Sequence, residues 1–405
     1  MMTAIDEADP RTPSHVPREL VVDGFDIFNL EVPDADPPLV WREIKLANPP
    51  IFWTNENGGH WVATDAADIK VIQVDHEHFS MAQHNIPKNR RGMPAPPIDL
   101  DPPKHFGYRA LISPAFSPKA LAALEGTIQQ VLDGLIDRVA PRGECEFVED
   151  VAHVLPINVF LGMMGLPKED AAYLLPLSTL NTQAKELEVS QRTRAEMADY
   201  LKDKIEARKA HPTDDVLSQV VHGKVNGEPL PDDELLGMCT LLLAGGLDTV
   251  ASMMGFIFRF LATHPAHLAE LVADPDLIPQ ATEEFFRRCG IANTGRILVE
   301  DYEFHGVQLK AGDLIQIPNC LYGIDETVVD NPLEVDFHRK KPIPYASFGN
   351  GPHSCPGKAL ARLEVRLLLR SWLSRIPEFT VKPGTVPQAR IGMTNSMREL
   401  WLSWR

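Results

Sequence analysis

The chain is short of positive charge, short of cysteine, and without an apolar run in its first twenty residues. Its 405 residues hold 39 lysines and arginines against 56 aspartates and glutamates, a formal net charge of −17. So acidic a balance excludes general affinity for nucleic acid or anionic membrane and leaves room only for a local basic patch. The cysteines, Cys145, Cys239, Cys289, Cys320 and Cys355, are scattered, with no CxxC and no zinc-like spacing. They read as reduced thiols of a cytoplasmic protein and exclude an iron–sulfur cluster. The opening MMTAIDEADPRTPSHVPRE has no apolar run, so residues 1–20 are expected to be a flexible arm, neither signal peptide nor anchor. No GxGxxG follows a predicted strand, so no dinucleotide fingerprint is present.

Long hydrophobic runs are equally scarce. The one at Leu241–Ala262 could span a bilayer by length. Asp248 and Arg259 within it would each cost roughly 2.5–3.5 kcal/mol at a bilayer centre, and the PDDELL ahead of it reads as the first turn of a soluble helix. The expectation is a buried central helix.

The remainder alternates simply. A helix is expected from Asp36, then a hairpin at the NGG of IFWTNENGGHWVATD. The Pro-rich HNIPKNRRGMPAPPIDLDPP has no period and reads as a long functional loop. Helices dominate up to Arg288, and strands with turns at Gly306 and Gly312 fill Ile291–Ile317. The sum is an α+β, mainly α fold with small sheets, residues 21–405 forming one catalytic domain.

The densest signal is FGNGPHSCPG, Phe348–Gly357. Glycines at 349, 351 and 357 relax the backbone around Cys355, which stands just ahead of a long helix whose N-terminus should favour thiolate. A lone thiolate can serve as the axial ligand of a haem iron and push electron density toward bound dioxygen. A second signal is AGGLDTV: two adjacent glycines cost a helix roughly 1 kcal/mol each, and Asp248 and Thr249 are expensive in an apolar helix unless they have a task.

FGNGPHSCPG resembles the haem-binding signature of the cytochrome P-450 superfamily. The resemblance runs from about Phe25 to Trp404 and is closest to the bacterial camphor-hydroxylase subfamily, carried also by FDIFN, GGHW, LLLAGGLDTV and RILVEDYEFHGVQLKAGD. It implies a long central helix over haem b. Cys355 is the implied iron ligand, with Phe348, Gly349 and Gly357 around it and Gly245 lining the oxygen groove. Thr249 would hydrogen-bond in that groove and Asp248 would relay protons to it. His105 and Arg109 of DPPKHFGYR, Arg296 and His353 are the implied partners of the two haem propionates. Glu284 and Arg287 of EEFFRR, locked onto Arg339, would hold the cysteine loop in register.

The resemblance further implies a soluble, monomeric monooxygenase that consumes dioxygen, with electrons from a [2Fe–2S] ferredoxin fed by a NADH-dependent flavoprotein reductase. Arg109, Lys340, Lys341, Lys358 and Arg362 are candidates for a basic face that steers an acidic partner. A peroxide-driven haem-thiolate peroxygenase and a haem-based gas sensor are the rival readings.

Two departures stand out. The camphor subfamily has a substrate-binding tyrosine before DPP, and none lies between Phe79 and Tyr108 here; Met93 or Pro94 takes its place. With Met81, Ile98, Leu241, Ala244, Ala292, Met393 and Thr394, Met93 would line a pocket for a compact, weakly polar bicyclic terpenoid, with His84 or Asn85 as the replacement polar contact. Pro356, directly after the cysteine, has no N–H to give the sulfur.

Overall fold

The computed structural model describes residues 9–246 and 248–405. Proline in a first helical turn forfeits only an N–H that has no partner there, and Pro37 and Pro38 open the helix Pro37–Ala47 on those terms. The expected hairpin follows, Ile51–Thr54 antiparallel to His60–Ala63 with Phe52 opposite Val62. His60–Ala63 pairs in parallel with Leu314–Pro318, which runs antiparallel to Asn293–Leu298, and Phe79–Ser80 closes the sheet at five strands. Trp41, Phe52, Trp53 and Trp61 are buried on this sheet, Trp53 and Trp61 edge-to-face with ring centroids 5.3 Å apart.

The second and larger core is helical. Phe147 stacks on Phe258 at 4.1 Å, and Trp372 meets both rings edge-on. These aromatics join the strand–helix turn after Glu146, the helix Asp248–Thr263 and the helix Lys358–Arg375.

The arm differs from expectation. Of the arm, residues 1–8 lie outside the described residues, and 9–20 are docked. Val16 is buried, Thr12 Oγ1 donates to Asn55 Oδ1 at 3.1 Å, and His15 Nε2 lies 2.8 Å from Asp313. The arm has the edge of Trp53 to cover. Asp232–Gly245 and Asp248–Thr263 are the described parts of the expected central helix, and Leu247 of AGGLDTV lies outside the described residues. The apolar stretch they form passes a membrane span by length and composition, yet 71% of its most apolar window is buried inside the protein. Finally, the Pro-rich loop carries neither helix nor strand from 81 to 103, but it is firmly seated. Arg90 donates to Ala184 O and sits over the Phe28 ring, and Gln191 of the helix Leu187–Ala210 donates to Asn89 O at 2.8 Å.

Candidate active site

Cys355 lies between a short turn, Gly351–His353, and the helix that begins at Lys358. Its N–H donates to Phe348 O at 2.8 Å, closing the loop on itself. Gly349 and Gly351 both take φ near +66°, which side-chain-bearing residues avoid, whereas Gly357 has ordinary φ and serves by its amide. The backbone N–H groups of Gly357 and Lys358 reach the sulfur. Burial nevertheless outweighs those amides and the nearby Arg109 and Lys358, so the free thiol sits above its ordinary value. The helix end alone does not make the thiolate; a cation at the sulfur must supply the rest.

Two buried clusters of charge flank this loop. In the first, Arg287 grips Glu284 with two bonds of 2.9 and 2.6 Å and gives its remaining N–H groups to the carbonyls of Gly323, Pro332 and Glu334. Arg339 reaches the same carboxylate at 3.0 and 3.1 Å, and the Asp336 N–H adds a further bond. Glu284 and Arg287 are wholly buried. The three residues of the expected lock thus meet. Ser347 ties them to the cysteine loop by donating to Phe286 O.

The second cluster gathers His105, Arg109, Arg296 and His353, and here partners are few. Both ring nitrogens of buried His105, and Nε2 of His353, have no hydrogen bond. The two imidazoles lie 4.4 Å apart by centroid. Arg296 is 4% exposed, and the only hydrogen bond described for it is to Gly295 O, at 2.7 Å. Arg109 donates to Ser354 O. Burial, then mutual repulsion, depresses the group: Arg296 to about 10 by burial, and His353 to about 3 by burial, His105 and the two arginines. The nearest carboxylate, Asp101, is occupied by the hydroxyl of Ser80 and the N–H of Met81. His76, which the sequence did not single out, adds to the positive field on both histidines. A buried guanidinium without a bonded anion and buried imidazole nitrogens without hydrogen bonds are costly, so this cradle fits a ligand that brings two carboxylates. With a lone cysteine under backbone amides beside it, the donor set matches haem.

Above the loop, the two glycines of AGGLDTV have different reasons. A Cβ on Gly245 would meet nothing within 4 Å, so this residue borders open space, whereas a Cβ on Gly246 would lie 2.3 Å from the Phe160 ring. Thr249 Oγ1 donates to Gly245 O at 3.2 Å, and Asp248 is wholly buried. His153, far back along the chain, places Nε2 3.7 Å from Asp248 Oδ1.

The expected pocket residues are brought together in part. Ala292 and Thr394 pair across an isolated bridge, and Asn293 fixes the neighbouring turn by donating from its backbone to Met393 O at 3.0 Å and from its side chain to Gly392 O at 2.7 Å. Gly237 touches the Pro-rich loop so closely that a Cβ would lie 2.2 Å from Pro94 O. One and two turns on, the same helix presents Leu241 and Ala244. Gly237 was missed by sequence reasoning, since an interior helical glycine does not announce its neighbour. Met81 is buried against Asp101, and Ile98 is half-buried. Met93 and Pro94 instead line a cleft of about 240 Å³ whose walls include Asn85, Arg90, Arg91 and Asp99, more polar than expected. His84 has both nitrogens engaged, with Met81 O at 2.9 Å and Asn85 at 3.3 Å.

On the opposite side Lys340, Lys341 and Lys358 are exposed. Arg362 is bound to Glu283 at 2.7 and 3.0 Å, and Arg109 turns inward to Ser354. Those two are therefore poorer surface charges than the lysines.

A family model described as cytochrome P450 matches residues 163–394. A probable cytochrome P450 127A1 of Sinorhizobium fredii is 32% identical, with 97% of this chain and 96% of the relative covered. A steroid C26-monooxygenase of Mycolicibacterium smegmatis is 34% identical over 82% of this chain and 84% of its own. The crystal structure of CYP101J2 superposes with a TM-score of 0.89 at 36% identity, covering 97% of this chain and 99% of that one. That of CYP101C1 gives 0.88 at 35% identity, covering 97% and 100%. Motif, fold and relatives agree, and the chain belongs to the cytochrome P450 family, haem-thiolate monooxygenases that use haem b and dioxygen.

Proposed function

We propose that this monooxygenase hydroxylates an unactivated C–H bond of a small bicyclic terpenoid, a cineole-like ether or camphor-like ketone, with electrons from a [2Fe–2S] ferredoxin and its NADH-dependent flavoprotein reductase. The observation that carries the reading is the lone cysteine under two amides beside Arg109, Arg296 and two imidazoles, His105 and His353, three of whose ring nitrogens have no hydrogen bond. Cys355 would hold the iron, and His105, Arg109, Arg296 and His353 the two propionates. Bound haem supplies dioxygen activation and the transfer of one oxygen atom into a C–H bond.

The chain's own residues do the rest. Thr249 holds a hydroxyl proton beside the open space at Gly245, and its bond to Gly245 O fixes the rotamer. Asp248, buried next to it in sequence, restores that proton. Leu241, Ala244, Ala292 and Thr394 offer apolar surface that excludes water and orients a compact substrate. With no tyrosine in the Pro-rich loop, a ketone gains no hydrogen bond there, about 0.5–1.5 kcal/mol forgone. The exposed Lys340, Lys341 and Lys358 on an otherwise acidic protein support an acidic electron donor. The protein is read as a cytoplasmic monomer.

A screen of ligands for the low- to high-spin shift of the haem absorption tests the substrate class. Bicyclic monoterpenoids should give a full shift. The identity to a steroid C26-monooxygenase makes steroids the natural competitors. A full shift with a steroid or fatty acid, and none with any bicyclic terpenoid, overturns the reading. Product formed with NADH, reductase and ferredoxin, but not with peroxide alone, separates it from a peroxygenase and from a gas sensor.

A further inference from the structure

One buried titratable side chain is used by nothing described so far. His153 is 5% exposed, at the start of the helix Val154–Met163. Its two ring nitrogens face two carboxylates of opposite character. Nε2 lies 3.7 Å from Oδ1 of the wholly buried Asp248, and Nδ1 lies 3.5 Å from Oε1 of Glu149, whose side chain is 65% exposed. Glu149 and His153 are i,i+4 neighbours, so one helical turn carries a polar line from solvent to the floor of the oxygen groove. We infer that Glu149 and His153 are the proton supply of Asp248, a positioning pair that recharges the buried acid from bulk water. The inference rests on the reading of Asp248 as the groove's proton source.

The balance is one proton taken from bulk water for each proton delivered to Asp248. Burial opposes a charged imidazole, but the flanking carboxylates of Asp248 and Glu149 lift His153 to about 9, so it is an imidazolium at neutral pH. An imidazolium carries a proton on each nitrogen. As Nε2–H passes its proton to Asp248, the ring is left neutral with its proton on Nδ1; a ring flip turns the bare nitrogen toward Glu149, and a proton taken from water through Glu149 restores the cation. Both separations lie just beyond hydrogen-bond reach, so a small side-chain rotation or one bridging water closes each. Other charged groups at this turn are Asp150, which opposes Glu149's ionisation and is paired with Arg142 at 2.7 Å, Glu146, which accepts the Glu149 N–H at 2.6 Å, and Arg398 of the strand Ser396–Glu399, which favours that ionisation. Asp248 keeps further contacts of its own, and the relay does not require it to be otherwise free.

The test uses the haem-loaded protein with its reductase chain. His153→Gln keeps size and an N–H but cannot titrate. It should lower kcat on the order of tenfold, less than the roughly hundredfold or more of a direct proton-transfer group, because His153 acts through Asp248. KM should stay unchanged, the solvent isotope effect should rise, and more electrons should end as hydrogen peroxide. Glu149→Gln, at an exposed site that does not threaten folding, should move the same quantities less. His153→Arg restores the cation but has no proton to give, so it should not rescue the rate. Independently of turnover, labelled His153 should titrate near pH 9 by NMR and fall in Asp248→Asn. Wild-type kcat and isotope effect in both His153→Gln and Glu149→Gln, full rescue by arginine, or an imidazole whose titration ignores Asp248→Asn would overturn the inference. Failure of the parent reading looks different: the wild type itself would give no coupled product.

Discussion

Two clusters of buried charge hold the cysteine loop, and they are built on opposite plans. Around Glu284 every carboxylate lone pair and almost every guanidinium N–H is spent within the chain. Around Arg296, Arg109 and two imidazoles converge with Asp101 as the nearest carboxylate, and three imidazole nitrogens stand unbonded. A closed cluster is a clamp, already satisfied before anything binds. An open one is destabilising until its ligand arrives, and its excess cost returns as affinity. The contrast separates residues that hold the fold from residues that hold the cofactor, although both sets are buried and both touch the cysteine loop.

The largest break should come at the sulfur between them. Cys355→His leaves both clusters intact but removes the thiolate, and it should abolish hydroxylation and shift the carbon monoxide difference band of the reduced protein away from the thiolate type. Next is the clamp: Arg287→Ala strands a buried carboxylate and should cost about 3–5 kcal/mol, read as equal losses of melting temperature with and without haem. Arg296→Met breaks the open cluster and should do the reverse. The haem-free chain keeps or gains stability, while haem dissociates roughly ten- to a hundredfold faster, from about 1.5–3 kcal/mol of charged hydrogen bonding lost.

Two further effects sharpen the picture away from the clusters. His153 has its folded value raised from 6.5 to about 9, so its contribution to stability is fully present below pH 6.5 and fades as pH rises through 9. The penalty of His153→Gln in urea titrations should shrink across that window, by on the order of 3 kcal/mol. Pro356→Leu adds a backbone donor beside the sulfur and should raise the haem reduction potential in a spectroelectrochemical titration; an unchanged or lower potential counts against it.

What the sequence made legible was what is local along the chain. Phe348, Gly349, Cys355 and Gly357 sit in ten residues, Glu284 and Arg287 in one helical turn, His105 and Arg109 in another, and each pattern carries its own geometry. The hairpin at Asn57–Gly58–Gly59 and the strands about Gly306 and Gly312 were equally readable, because turn chemistry is local. What escaped was set by tertiary contact. Gly246 looked like room for a ligand and is room for Phe160. Arg362 looked like a docking charge and belongs to Glu283. His153 reaches Asp248 only through packing, and burial, invisible in a motif, reversed the thiol shift expected at a helix end.

The most direct measurement is a paired one on Arg296→Met and Arg287→Ala: the melting temperature of the haem-free chain and the rate of haem transfer to an acceptor protein. The account predicts that Arg296→Met loses haem faster with no loss of haem-free stability, and that Arg287→Ala melts early in both forms. Equal haem retention in Arg296→Met, with a haem-free chain destabilised as much as in Arg287→Ala, would contradict it.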